Sequence, residues 1–286
     1  VYTQTTGDIL IFMTGRDDVE ATCFFIWQQM KQLHIDLPLW IIPLTASSTP
    51  EEQRRLFMPS TIRKCIVATN VAETSLTIDG VRYVIDCGFS KLKTYNPSLG
   101  VSLLTVTPIS RANANQRAGR AGRTSTGICL RLYRQSEYEF DLLPTTIPEI
   151  FRSNLISVVL TLKAIYTRSL NSFPFFEKPQ QAALLSSLFN LWLLSAIDTN
   201  EGFTPIGHLM SLLPIEPQVG RILIEAIRLE CVNDIITLCA MIDQAQTLWI
   251  QKKSLNNSND DGIKDIHQQF SIANGDFSTL VNVFYQ

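Results

Sequence analysis

The chain has 286 residues, 45% of them hydrophobic and 17% charged, with a formal net charge of −2. That size and composition predict two or three globular domains, each with its own core, and the balance of charge gives no global reason to bind nucleic acid, so an anionic partner would need a local concentration of cations. Cys23, Cys65, Cys87, Cys129, Cys231 and Cys239 form no CxxC pair and sit mostly in apolar runs, which predicts packed, reduced thiols of an intracellular protein rather than zinc or disulfides. No uncharged apolar stretch of about 18 residues predicts a membrane span. The chain opens on Val1 rather than Met and runs almost directly into a strand, as a piece of a longer protein would.

The first part alternates. GDILIFMTG (7–15) is strand-like and ends in a turn; RDDVEATCFFIWQQMKQL (16–33) has acids in its first turn and apolar residues at helical spacing. LWIIPL (39–44) is again strand-like, and TPEEQRRLF (49–57) begins with a capping Thr, a Pro at the first helical position and two Glu. KCIVATN (64–70) and VRYVIDCGF (81–89) are β-branched runs of strand length, and KTYNPSLGVSLLTV within 91–108 reads as a β-hairpin. Strands alternating with helices predict a parallel sheet with right-handed crossovers. After about Tyr138 the alternation stops, and 149–165, 179–197 and 217–242 read as helices; SLNNSNDDG (254–262) reads as a solvated loop. An α/β domain followed by a mostly helical one is the expectation.

Between Cys87 and Ser136 the chain carries eight Lys or Arg and no Asp or Glu, which points to an anionic partner for this part of the surface. QRAGRAGR (116–123) concentrates that charge. Continued as a helix at about 100° per residue, Gln116, Gly119, Arg120 and Arg123 share one sector, Ala118, Ala121 and Gly122 turn away, and Arg117 stands apart from both groups. Two guanidiniums and an amide with little bulk between them suit a phosphate chain, since Arg forks bind phosphate bidentately and Gly admits close approach. A helix of merely solvated arginines would explain the charges but not the glycines.

The second cluster is ATNVAETSLTIDG (68–80), directly after a strand. Loops at the carboxyl ends of parallel strands form ligand crevices. The hydroxyls and amide of Thr69, Asn70, Thr74, Ser75 and Thr77 can position a nucleic-acid backbone there without reading its sequence, and Asp79 can accept from a ribose hydroxyl. Read alone, the stretch is equally a capped turn.

In this order, GDILIFMTGRDDVE, ATNVAETSLTIDGVRYVIDCGFSK and PISRANANQRAGRAGRTSTGICLRLY resemble motifs IV, V and VI of the DEAH-box RNA helicases. PEIFRSNLISVVLTLKAI is similar to that family's winged-helix domain, and TPIGHLMSLLPIEP and GDFSTLVNVF resemble parts of its helical ratchet domain. The resemblance covers essentially the whole chain. It implies a second RecA-like domain over 1–140, truncated at its start, a winged helix over 141–210 and an incomplete ratchet domain over 211–286.

The function implied is ATP hydrolysis between two RecA-like domains, driving 3′-to-5′ movement on single-stranded RNA. By position, Gln116, Arg120 and Arg123 would face the ATP phosphates, with both arginines as fingers and Gly119 close to the nucleotide. Phe57 would stack on the adenine and Asp79 would lie near the ribose. Thr69, Asn70 and Thr77 would contact the RNA backbone, Ser75 would sense the nucleotide state, and the 91–108 hairpin would help part strands. Mg²⁺ would be held by the other RecA-like domain, and no metal ligands are expected in this chain. The family also implies a monomer, activators of the G-patch type, and an intracellular setting with nucleus or nucleolus ahead of cytoplasm.

The phosphate-binding GxxxxGK[ST] and the DEAH tetrapeptide are missing from the sequence, so the chain alone is expected to be inactive. Within the matched stretches, Cys87 stands where Pro is usual, no Pro precedes Gly127, Phe277 replaces a frequent His, and Ala46-Ser47 replaces a Gly-Ser turn. Two other classes compete: a non-catalytic RNA- or partner-binding module from a degenerate helicase, and a DNA translocase on the same architecture.

Overall fold

The computed structural model describes residues 7–33, 38–74, 78–122, 126–165, 170–248, 270–273 and 275–286. The chain divides into two compact units, Val1–Ser153 and Asn154–Gln286.

The first unit is built on β1 (Asp8–Phe12), β2 (Leu39–Leu44), β3 (Arg63–Ala68), β4 (Val81–Asp86) and β7 (Ile128–Arg131), in the order β2-β3-β1-β4-β7 with every pairing parallel. The connections carry α1 (Arg16–Gln32), α2 (Pro50–Phe57), α3 (Val71–Thr74) and α4 (Arg111–Gly119). Alternation within the strands loads both faces. Leu10, Phe12, Ile42, Leu44, Ile66 and Val84 pack on one side with Leu56 of α2; Ile9, Cys65, Val67 and Tyr83 pack on the other with Val19 of α1. Helices on both faces of a parallel sheet bury both sets at once. The start of α2 is as its sequence predicts: Thr49 caps the Glu52 amide, and the Glu52 carboxylate accepts from the Thr49 amide at 2.8 Å.

β5 (Phe89–Asn96) and β6 (Val101–Pro108) form the expected antiparallel hairpin, in register from Phe89 opposite Pro108 to Asn96 opposite Val101. The run 81–89, expected as one strand, is divided between β4 and β5 by a turn in which Gly88 takes φ +82°, a conformation open to glycine. Residues 143–152 fold back against the unit. Arg111 and Ala112 donate amides to the Leu143 and Pro144 carbonyls, and the Tyr95 amide donates to the Arg152 carbonyl at 2.7 Å.

The second unit contains α5 (Ile156–Ile165), α6 (Gln181–Leu193), α7 (Pro205–Ser211), α8 (Pro217–Arg228), α9 (Val232–Leu248) and α10 (Asp276–Tyr285). The helical runs are shorter than the sequence patterns predict. Residues 149–165 hold a one-turn 3₁₀ segment (Glu149–Phe151) and then α5, whose Ile156 amide donates to the Asn154 side chain. Residues 217–242 break between α8 and α9, where Glu230 takes φ +58° and the Cys231 amide donates back to Ala226. The end of α6 closes identically, with Ser195 at φ +60° and the Ala196 amide on Leu191. Both are Schellman closures, whose usual sequence signal is Gly at the left-handed position. Here Glu and Ser stand there, so the pattern gave no warning. The polar run 254–262 lies outside the described residues.

Candidate functional site

α4 starts at a Ser110 cap, whose Oγ accepts from the Asn113 amide at 3.1 Å, and it ends at Gly119. Residues 120–122 form a single 3₁₀ turn, so the helical projection does not extend to Arg123, which lies outside the described residues. Gln116 and Gly119 are exposed as expected. Arg120 is buried, and its Nη2 donates to the backbone carbonyl of Glu73.

The residue that stood apart on the projection, Arg117, is the centre of the arrangement. Its side chain is wholly buried, with Nη1 2.7 Å from Asp86 Oδ1 and Nε 3.1 Å from Glu73 Oε2. Nη1 and Nη2 also donate to the Phe89 carbonyl at 3.2 and 3.3 Å, and the guanidinium lies 4.8 Å from the Phe12 ring centroid. Burial works against this charge, but Asp86 and Glu73 outweigh it and hold the guanidinium above the ordinary arginine range. The carboxylates are themselves satisfied. Asp86 accepts from the Gly88 amide and the Tyr133 hydroxyl, each at 3.0 Å, and Glu73 accepts from the Asn113 amide group. Burial, followed by the neighbouring Asp86, raises the Tyr133 hydroxyl well above the tyrosine range, so it remains a donor.

This network fastens four pieces together: α3, the end of β4, the start of the hairpin and α4. Gly127 completes the seat from the far side, since a Cβ there would stand 1.9 Å from the Ala121 carbonyl oxygen. The chemistry of α4 is therefore divided by depth. Arg117 and Arg120 hold the helix and the following turn from beneath, and Gln116 and Gly119 form its free edge.

The other sequence candidates take varied positions. Thr69, at the carboxyl end of β3, is buried, with its amide on the Leu44 carbonyl at 3.1 Å; Asn70 beside it is exposed, as is Asp79. Ser75 and Thr77 lie outside the described residues. Phe57, the last residue of α2, is 55% exposed, and its backbone is fixed by a residue the sequence reading passed over. Buried Lys64 donates from Nζ to the carbonyls of Leu56 and Met58, both at 2.7 Å, one on either side of Phe57. A cation at a helix C-terminus meets the carbonyls left unpaired there.

All six cysteines are free, with Cys65 buried and the rest half-buried. No group of three or more His, Cys, Asp or Glu among the described residues is placed to hold a metal, and no described helix is long and apolar enough to cross a membrane.

Residues 2–125 match the helicase conserved C-terminal domain, and residues 216–280 match the helicase associated domain (HA2), ratchet-like. Over 281 residues the chain is 40% identical to the pre-mRNA-splicing factor ATP-dependent RNA helicase prp22 of Schizosaccharomyces pombe. That alignment takes in 97% of this chain and spans 24% of the length of that relative.

Proposed function

Because this chain belongs to the DEAH-box RNA helicases, carrying the RecA-like and ratchet-like domains of their carboxy-terminal half, we propose that it supplies one side of an ATP site and part of a single-stranded RNA track. The observation that carries this reading is the seating of α4. Its free edge, Gln116 and Gly119, is held in place by a buried arginine and faces outward. Such an edge is pre-organised for a phosphate chain presented by another domain, and pre-organised donors stabilise developing charge without reorganising.

In this reading Arg123 is an arginine finger, and Arg120 becomes one by leaving the Glu73 carbonyl when nucleotide arrives. Gln116 orients the attacking water, Phe57 stacks on the adenine and Asp79 holds the ribose. The β- and γ-phosphates and Mg²⁺ are cradled by a first RecA-like domain, so this chain contributes no metal ligand. Thr69 and Asn70, with Ser75 and Thr77, hold the RNA backbone, and strand movement runs 3′ to 5′. Residues 141–210 act as a winged helix and 211–286 as the ratchet. The setting is nuclear RNA processing, as the pre-mRNA-splicing role of the prp22 relative supports.

The test uses the full-length protein. Arg123→Ala should lower RNA-stimulated ATP turnover by about 10³-fold or more while RNA affinity stays within a few-fold. A duplex with a 3′ overhang should be unwound and one with a 5′ overhang left intact. Unchanged turnover in the variant, or equal unwinding of both duplexes, would overturn the reading; unwinding of DNA with equal efficiency would move it to a DNA translocase.

A further inference from the structure

The first unit contains a cleft of about 490 Å³ between the hairpin, the start of α4 and the returning segment 141–152. It lies away from the Gln116 edge, since the α4 residues lining it are at the opposite end, Ser110 and Asn113. Ligand pockets typically measure about 300–1,000 Å³, and a water in the liquid takes only about 30 Å³.

Three features define what it could hold. The walls contributed by Leu92, Ile109 and Ile147 are apolar. Thr107 is also in the lining, and its Oγ1, turned away from the open space, is buried with no hydrogen-bond partner among the described residues. A buried hydroxyl without a partner favours a ligand that supplies one, and it can act as donor or acceptor. The charges disfavour a phosphate. Asp141 lines the cleft as an acid, Glu73 has its charge met by Arg117, and the single cation among its described lining residues, Arg152, already donates to the Ile147 and Lys93 carbonyls, each at 3.2 Å. The occupant is therefore neutral, with apolar faces and a polar edge.

Asn70 says where such a group comes from. It belongs to the cleft lining and also to the stretch proposed above to hold the RNA backbone. We propose that the cleft receives a nucleobase turned out of the RNA strand, with its ring against Leu92 and Ile109 and its edge on Thr107 Oγ1 once that side chain turns about χ1 into the cleft. This rests on the RNA reading of the preceding subsection. Because a hydroxyl serves equally as donor or acceptor, the site accepts any base.

The experiment compares the full-length protein on two fluorescent strands of equal length, oligouridine RNA and the same sugar-phosphate backbone carrying abasic sites throughout. Wild type should bind the base-bearing strand about 10-fold more tightly, the order of a single base contact. Thr107→Val, which keeps the shape and removes the hydroxyl, should narrow that ratio to about 3-fold, and Thr107→Leu, which also crowds the wall where the base edge would sit, should narrow it further, both with abasic affinity unchanged. A ratio that stays at its wild-type value in both variants would overturn the proposal while leaving the RNA reading intact. Failure of wild type to bind either strand would overturn both. Binding of free uridine that Thr107→Leu abolishes, without any change in the strand ratio, would assign the cleft to a soluble nucleoside and overturn the strand-borne base. Identical urea midpoints for wild type and Thr107→Val establish that the comparison is made between folded proteins.

Discussion

Arg117 and Asp86 form a salt bridge of 2.7 Å in which neither side chain touches solvent. Removing one member of a buried pair strands the other, which costs about 3–5 kcal/mol. Arg117 has two carboxylate partners, so Arg117→Met should destabilise the chain by at least that range, measured by urea unfolding. Tyr133→Phe removes one neutral donor from Asp86 and should cost less, about 1.5–3 kcal/mol. Equal losses in the two variants would mean that the charges do not hold the network together.

Lys64 separates anchoring from contact at the end of α2. Lys64→Met leaves the Leu56 and Met58 carbonyls without their charged donor. It should lower stability by about 2–3 kcal/mol. Phe57→Ala, at an exposed position, should change stability by less than about 0.5 kcal/mol. In the full-length protein, both should raise KM for ATP more than they lower kcat. A Phe57→Ala enzyme with unaltered KM would remove the adenine contact.

Gly127 is a matter of space. A methyl group there would overlap the Ala121 carbonyl, which is main chain and has no rotamer to change. Gly127→Ala should therefore push the 120–122 turn outward and cost about 1–3 kcal/mol, the range for overpacking. The displacement would be read as faster amide exchange at Ala121 and Gly122.

The buried thiols predict an alkaline loss of stability. Burial pushes Cys65 up to about 12 and Cys23 up to about 11, from an ordinary value of 9.0. A group whose value is raised on folding contributes its stability fully below the unfolded value and loses it as the pH climbs to the folded one. The wild-type chain should thus lose stability between about pH 9 and pH 12 more steeply than Cys65→Ala. Cys65 should also resist a thiol reagent at neutral pH until urea unfolds the chain; labelling of native Cys65 as fast as Cys231 would contradict this.

Much of the order of strands and helices in the first unit was legible because most elements announce themselves locally, although α3 and β7 were not read as elements. Thr49 and Glu52 close a capping box within four residues, and strands such as KCIVA can do little else in an α/β alternation. Depth was not legible in the same way. Arg117 stood apart from both groups on a helix projection, which assigns angles without saying which side faces the sheet. The clue lay elsewhere in the sequence. Asp86 is an acid inside the apolar run VRYVIDCGF, and a buried acid requires a cation. Arg120 was misplaced for the same want of depth information: it is buried, with its Nη2 on the Glu73 carbonyl. The closures at Ser195 and Glu230 were hidden because the residues in left-handed geometry are not glycines.

Phe89, whose carbonyl takes two bonds from Arg117, is the first residue of the hairpin. The arm and the α4 edge thus share one pivot, and neither can tilt far alone. Each hairpin strand has eight residues, a reach of roughly 25 Å at about 3.3 Å per residue. A tilt of roughly 10° at the pivot would sweep the far end through about 4 Å. A small adjustment at the seat of α4 would thereby be magnified at the tip.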